Sequence, residues 1–273
     1  MKIIIFGSNG MLGTYMVTYL SKFYEIIKID RNILDAYVAN NSSILSVLET
    51  YKSDGEQLFV INCIGIIPQR NNLDDIKKYI KINTIFPHLL ANCCEILNYK
   101  LIHISTDCVF SGSKGNYSED DSPDETNIYG LSKFLGEPDN CCIIRTSIIG
   151  EELQNKKSLL EWVKSQNGKT INGFVNHYWN GVTCLQLVKI IHHMIENNIY
   201  WHGVLHIHSP NSTNKYGLIK MIIEIYNLNI ILNEYATPTV DKTVTSKYPL
   251  FMEIPTIGQQ IIDQQAFACF IMR

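Results

Sequence analysis

A chain of 273 residues, 46% hydrophobic and 18% charged, has room for one large domain or two modest ones and the composition of an ordinary soluble globular protein. Its formal net charge of −3 and pI of about 6.2 argue against the basic surface that nucleic acid or an anionic membrane would demand. The apolar runs are strand length, far below the roughly eighteen residues of a membrane-spanning helix, so neither nucleic acid nor a membrane is an expected partner.

Residues 2–6 (KIIIF) form a short β-branched run that reads as a strand. The opening MKIIIF is similar to the start of an export signal, but it breaks at Gly7-Ser8-Asn9-Gly10 with no cleavage site after it, so no export signal is read. The amphipathic stretch 11–23 follows as a helix, then strand candidates at 24–29 and 58–63 (LFVINC). A helical segment over 73–97 leads to a strand at 101–105. Another helix starts near Asn127, and 141–147 (CCIIRTS) and 204–208 (VLHIH) are the fifth and sixth strands. Strands apolar on both faces and alternating with helices predict a doubly wound, Rossmann-type α/β fold with a parallel sheet. Beyond Gly150 this regularity lapses, and Pro, Asn and aromatic residues gather in 151–180 and 209–273.

Eight cysteines include the neighbours Cys93-Cys94 and Cys141-Cys142 and no CxxC spacing, which suits reduced thiols in the cytoplasm. No cluster has metal-ligand spacing, and no metal is expected.

The run GSNGMLG sets Gly7, Gly10 and Gly13 between the first strand and the first helix. Glycines at this spacing allow a tight turn, a close approach of pyrophosphate to the backbone and close helix–strand packing, with the helix N-terminus facing the anion. The predicted dinucleotide contacts are Gly7, Asn9, Gly10, Met11, Leu12 and Gly13, with Cys63 and Gly65 after the third strand. The second strand ends in Asp30-Arg31. An acid there suits the free 2′-hydroxyl of NADH and an arginine suits the 2′-phosphate of NADPH; the pair carries both signals, with NADPH preferred and NADH the second candidate. Residues 1–150 and 181–208 are therefore assigned to a dinucleotide-binding domain, and 151–180 with 209–273 to a smaller α/β substrate-binding lobe.

Tyr129 and Lys133 stand four apart in IYGLSKFLGE, one turn apart on one helix face. An ammonium beside a phenol favours the phenolate, which suits proton exchange near neutral pH, and the lysine can also hold a ribose. Upstream, Ser105 and Thr106 end a strand with hydroxyls able to bind a substrate carbonyl.

These motifs, with Ser105-Thr106-Asp107, Val109-Phe110-Ser111-Gly112, Gly136-Glu137, Arg145-Thr146-Ser147 and Asn180-Gly181-Val182-Thr183, resemble an extended short-chain dehydrogenase/reductase, and within it the dTDP-4-dehydrorhamnose reductase family. The resemblance implies a catalytic set of Thr106, Tyr129 and Lys133, which also contact the cofactor through Tyr129 and Lys133, and a supporting role for Asn83. Asn83 also reads simply as a polar residue that caps or kinks a helix.

Cys108 departs from the plain reductases, which have a tyrosine there. A cysteine at this place is similar to GDP-fucose synthase and to the bifunctional plant epimerase/reductase that makes UDP-rhamnose, where it is a base for epimerisation. That resemblance implies a 3,5-epimerase/4-reductase acting on UDP-4-keto-6-deoxyglucose, with UDP preferred over dTDP as the carrier. His177, with Lys157 as the other candidate, would be the epimerisation acid, and Trp179 or Lys242 would touch the nucleotide. A packed thiol is the ordinary alternative for Cys108. The rival functions are a monofunctional dTDP-4-dehydrorhamnose reductase and a non-catalytic subunit like the methionine adenosyltransferase β subunit. A homodimer is the assembly considered.

Overall fold

The computed structural model describes residues 1–52, 57–69, 71–154, 156–249 and 252–271. The chain begins with β1 (Lys2–Phe6), α1 (Met11–Leu20), β2 (Glu25–Ile29), α2 (Asn41–Thr50), β3 (Phe59–Asn62), α3 (Ile76–Tyr79) and a π-helical turn (Ile80–Ile85). It continues through α4 (Phe86–Ile96), β4 (Lys100–Ile104), a 3₁₀ turn (Asp107–Val109), α5 (Ile128–Phe134), β5 (Cys142–Arg145), β6 (Ile148–Ile149) and α6 (Leu159–Ser165). The rest comprises β7 (Thr170–Phe174), β8 (His177–Trp179), β9 (Val182–Thr183), α7 (Cys184–Glu196), β10 (Gly203–His206), β11 (Thr213–Asn214), α8 (Lys215–Ile225), β12 (Ile231–Tyr235), β13 (Val240–Asp241) and α9 (Ile257–Ile271).

Six strands form one sheet in the order β10-β5-β4-β3-β1-β2, every neighbouring pair parallel. This is the fold that the strand–helix alternation predicts. In β1, Ile3 and Ile5 face a layer made by α1, α7 and the end of α9, while Ile4 and Phe6 face α2 and α4. Both faces are covered, which is why the strand carries no polar residue between Ile3 and Phe6. The same alternation sends Cys142 into one layer and Cys141 into the other, so the neighbouring thiols point apart, and all eight cysteines are free. The chain leaves β1 toward β2 on one side, and β3 lies on the other. The crevice at the carboxyl ends of β1 and β3 is therefore the switch point where such sheets bind ligands.

The segment after Gly150 is more regular than its sequence suggests. A third core of Ile149, Leu160, Val163, Trp179, Leu218, Ile219, Ile222, Ile257 and Ile261 lies under α6, α8 and the start of α9, edged by the parallel pair β7–β12 and by β11-β8-β13. The helix α9 belongs to both parts: Ile257 and Ile261 enter this third core, whereas Phe267 and Ile271 pack against α1 and α7. The helix α2 had no sequence reading, because NNSS looks like a loop. Here Asn40 caps it, accepting from the Ser43 amide at 3.0 Å, while the Asn40 amide donates to the Ser43 hydroxyl at 3.0 Å.

The segment over 73–97 is also not one regular helix. The π-helical turn widens it at Asn83, a local feature that commonly marks a functional position.

Candidate active site

The cofactor end is built by backbone. A Cβ on Gly13 would lie 2.1 Å from the Gly7 carbonyl oxygen, so only glycine lets α1 start so close to the turn. Gly10 is the N-cap of α1 and no side chain caps the helix, leaving its first amides for an external acceptor. Gly10, Met11 and Leu12 line a cleft of about 380 Å³ that also receives Cys63 and Gly65 from the loop after β3. At Gly65 a Cβ would make only ordinary contacts, 3.7 Å from Asn83 Oδ1 and 3.8 Å from Lys133 Nζ, so the chain leaves room here. A second cavity, of about 460 Å³, adjoins through the shared Ile64, Ile66, Gln69 and Lys157 and is lined by Gly7, Arg31, Leu34 and Asp35. Asp30 is drawn into the turn: Asn9 Nδ2 donates to its Oδ2 at 3.1 Å and the Asn32 amide to its Oδ1 at 2.9 Å. Arg31 lies on the cavity rim, paired with Asp35 at 3.0 Å. The uncapped helix start, the room at Gly65 and the two joined cavities fit a dinucleotide.

Side chains build the other end. Ser105 and Thr106 leave β4, and Thr106 caps the 3₁₀ turn: its Oγ1 accepts from the Cys108 amide at 3.1 Å and donates to Asp107 Oδ1 at 3.1 Å. The helix α5 starts at Asn127, whose side chain accepts from the Gly130 amide at 2.9 Å. A Cβ on Gly130 would sit 2.2 Å from the Cys108 carbonyl oxygen, so this glycine brings α5 against the turn and Tyr129 against Thr106. Lys133, buried one turn on, donates to the Ile104 carbonyl at 2.8 Å. Beneath it Glu137 forms a buried ion pair with Arg145 at 2.7 Å and accepts from Ser105 Oγ at 2.5 Å. Asn83 supports the cleft floor, accepting from the Ile66 amide at 2.9 Å and donating to the Ile66 carbonyl and Ser132 Oγ.

The electrostatics differ from the sequence expectation. Tyr129 is pushed well up by burial and by Cys108, opposed by a hydrogen bond with Thr106, and the phenol stays protonated. Lys133 is itself lowered to about 8 by burial, with Glu137 and Cys63 acting the other way. Cys108 is pushed up to about 12 by burial and by Asp107. Lys242 opposes this rise, and Cys108 remains a thiol at neutral pH.

Of the residues singled out in the sequence, Gly10, Met11, Leu12, Cys63, Gly65, Thr106, Cys108, Tyr129 and Lys133 line the one cleft, joined by Lys157 and Trp179. His177 is not among the lining residues. Its ring stacks on Phe174 at 4.4 Å, and Nε2 hydrogen-bonds Thr237 Oγ1 at 2.7 Å, both contacts within the lobe. Lys242 donates to Glu125 at 3.0 Å, also off the lining. The sequence reading gave no role to Asp107, Glu152 or Lys215, which do line it. The one local hint for Lys215 was a cation directly after a capping asparagine, where a helix start disfavours positive charge.

A parallel sheet with a glycine turn at its switch point and a Tyr/Lys pair over the same cleft defines a protein of the short-chain dehydrogenase/reductase type. The chain matches the family model described as the RmlD substrate binding domain over residues 1–255, and it belongs to that family. A dTDP-4-dehydrorhamnose reductase from Aggregatibacter actinomycetemcomitans is 24% identical over 283 aligned residues, covering 97% of this chain and 93% of that protein. Spore coat polysaccharide biosynthesis protein SpsK of Bacillus subtilis is 31% identical over 155 residues, 54% of this chain and 52% of that one. The crystal structure of a dTDP-4-dehydrorhamnose reductase from Bacillus anthracis in complex with NADP shares the fold with a TM-score of 0.83 at 22% identity, covering 97% and 98% of the two chains. No helix among the described residues is long and apolar enough to cross a membrane.

Proposed function

We propose that the protein is an NADPH-dependent reductase of the C4 ketone in a nucleoside-diphosphate-linked 4-keto-6-deoxyhexose, with dTDP-4-dehydrorhamnose as substrate. The observation that carries this reading is one cleft lined both by Thr106, Tyr129 and Lys133 and by Gly10, Met11, Leu12 and Gly65. Groups suited to a carbonyl and groups suited to a dinucleotide open on the same space. Family membership and the dTDP-sugar reductases among the relatives support the substrate class.

Bound NADPH would supply the hydride to C4. The first amides of α1 would face its pyrophosphate, and Arg31 its 2′-phosphate, because both Asp30 oxygens are already engaged by Asn9 and Asn32. Thr106 would turn its hydroxyl from Asp107 to the substrate carbonyl. Tyr129, a neutral phenol, is in the form needed to protonate the oxygen left on C4. Lys133, lowered to about 8 and anchored on the Ile104 carbonyl, would hold the ribose and lend positive charge as that oxygen becomes negative.

This displaces the bifunctional expectation. A thiol pushed up to about 12 is a poor base at neutral pH, and the UDP carrier was inferred from that cysteine alone. One observation keeps epimerisation as the second reading: Cys108 lines the cleft beside Thr106 and Tyr129.

The test offers purified protein dTDP-4-dehydrorhamnose and NADPH in D2O. NADPH should be consumed with no deuterium entering C3 or C5, and Cys108→Ser should keep turnover within about threefold. Consumption with the un-epimerised 4-keto sugar, with deuterium at C3 and C5 that Cys108→Ser abolishes, would establish the bifunctional reading instead. No consumption with either sugar would leave a non-catalytic subunit.

A further inference from the structure

Lys215 opens α8 in an unfavourable place for a cation. The amides of a helix's first turn make that end positive. The side chain is half-buried, and burial pulls its pKa down against the pull of Asp107 and Cys108. No hydrogen bond or ion pair among the described residues takes up its ammonium; the near contact is the Trp179 ring, with Nζ 5.5 Å from the centroid. Three N–H donors are thus presented with no acceptor among the described residues, and Lys215 lines the cleft together with Asp107, Cys108, Thr106 and Tyr129.

The chemistry of the sugar says what such a donor meets. In a 4-keto-6-deoxyhexose, C5 carries the ring oxygen and the C6 methyl, so the one hydroxyl adjacent to the C4 carbonyl is on C3. An ammonium lining the same cleft as Thr106, Tyr129 and the Asp107 carboxylate offers such a hydroxyl a donor, and the carboxylate an acceptor.

We infer that Lys215 is a substrate-binding residue, donating from its ammonium to the C3 hydroxyl of the hexose so that the lobe holds C4 in register with Thr106 and Tyr129. The inference rests on the reductase reading above. The cation–π contact with Trp179 fixes the ammonium before the sugar arrives, so little side-chain freedom is lost on binding.

The experiment compares wild type, Lys215→Met and Lys215→Arg with the 4-keto sugar and its 3-deoxy analogue. Lys215→Met should raise KM by about 10- to 100-fold with a smaller fall in kcat, and Lys215→Arg should recover much of the loss. The 3-deoxy analogue should bind worse than the sugar in wild type but equally poorly in Lys215→Met. The free Lys215→Met protein should melt at or above the wild-type temperature, with a smaller upward shift on adding sugar nucleotide. A wild type indifferent to the 3-hydroxyl overturns the inference even if the Met variant fails to fold. So does a fall in kcat with a displaced pH profile at unchanged KM, which would place the action of Lys215 on Asp107 or Cys108. If wild type shows no turnover, the reductase reading fails separately. Calorimetry with dTDP-rhamnose then decides Lys215, weaker binding to Lys215→Met supporting it and equal binding overturning it.

Discussion

The two ends of the cleft are made of different material. At the glycine turn the groups presented are backbone amides and the space left by absent side chains: Gly13 against the Gly7 carbonyl, the uncapped start of α1, the room at Gly65. At the far end they are side chains from four separate places: Thr106 after β4, Cys108 in the 3₁₀ turn, Tyr129 and Lys133 on α5, Lys215 and Trp179 from the lobe. A backbone site tolerates many side chains but no change at a glycine such as Gly13, where a Cβ would meet backbone. A side-chain site fails one function at a time.

That contrast can be broken by substitution. Tyr129→Phe should lower kcat by about 10²- to 10⁴-fold, as loss of a general acid does, while NADPH binding measured by fluorescence titration stays within a few fold. Loss of cofactor binding in that variant would mean that the two ends are not separable. The next effect concerns the thiol. With Cys108 held up to about 12 against an ordinary 9.0, its alkylation near pH 7.5 should be about a thousandfold slower than that of a free cysteine. Because the shift is upward, the thiolate fraction and the rate should climb tenfold per pH unit through pH 9 without levelling. A plateau below pH 8, read by mass spectrometry, would restore a thiolate base. Gly13→Ala gives the smallest effect. Its Cβ would sit 2.1 Å from the Gly7 carbonyl oxygen, so α1 must move, and stability should fall by about 1–3 kcal/mol with NADPH bound more weakly. Denaturation and titration of one preparation check both, and unchanged cofactor affinity would show that the turn does not hold the pyrophosphate.

Reading the residues in order recovered the ends of the molecule unequally. The strands of the parallel sheet were legible because burial on both faces leaves runs of Ile, Val and Phe, as in β1 and β3. The glycine turn was legible for a related reason: a backbone site encodes its geometry as residue spacing. The helix α2 was not, since its start is a capping box of Asn40 and Ser43 that looks like loop until both bonds are drawn. The elements inside the lobe were not, because its core is assembled from segments before and after α7. Within the site, His177 illustrates the limit. A histidine among aromatic residues near a substrate segment has the right chemistry, yet the register of β8 and the Thr237 hydroxyl hold it in the lobe.

Local sequence was enough for whatever depends on neighbours in the chain: the alternation that makes a two-sided sheet, the glycine spacing at Gly7, Gly10 and Gly13, and the one-turn offset of Tyr129 and Lys133. Protonation and access depend on segments far apart, and only the folded chain decided them. Burial beside Asp107 keeps Cys108 a thiol, burial keeps Tyr129 a phenol, and Lys215 reaches the cleft from more than a hundred residues beyond Cys108. The free energy of a charge is set by what surrounds it in space, and no spacing along the chain carries that information.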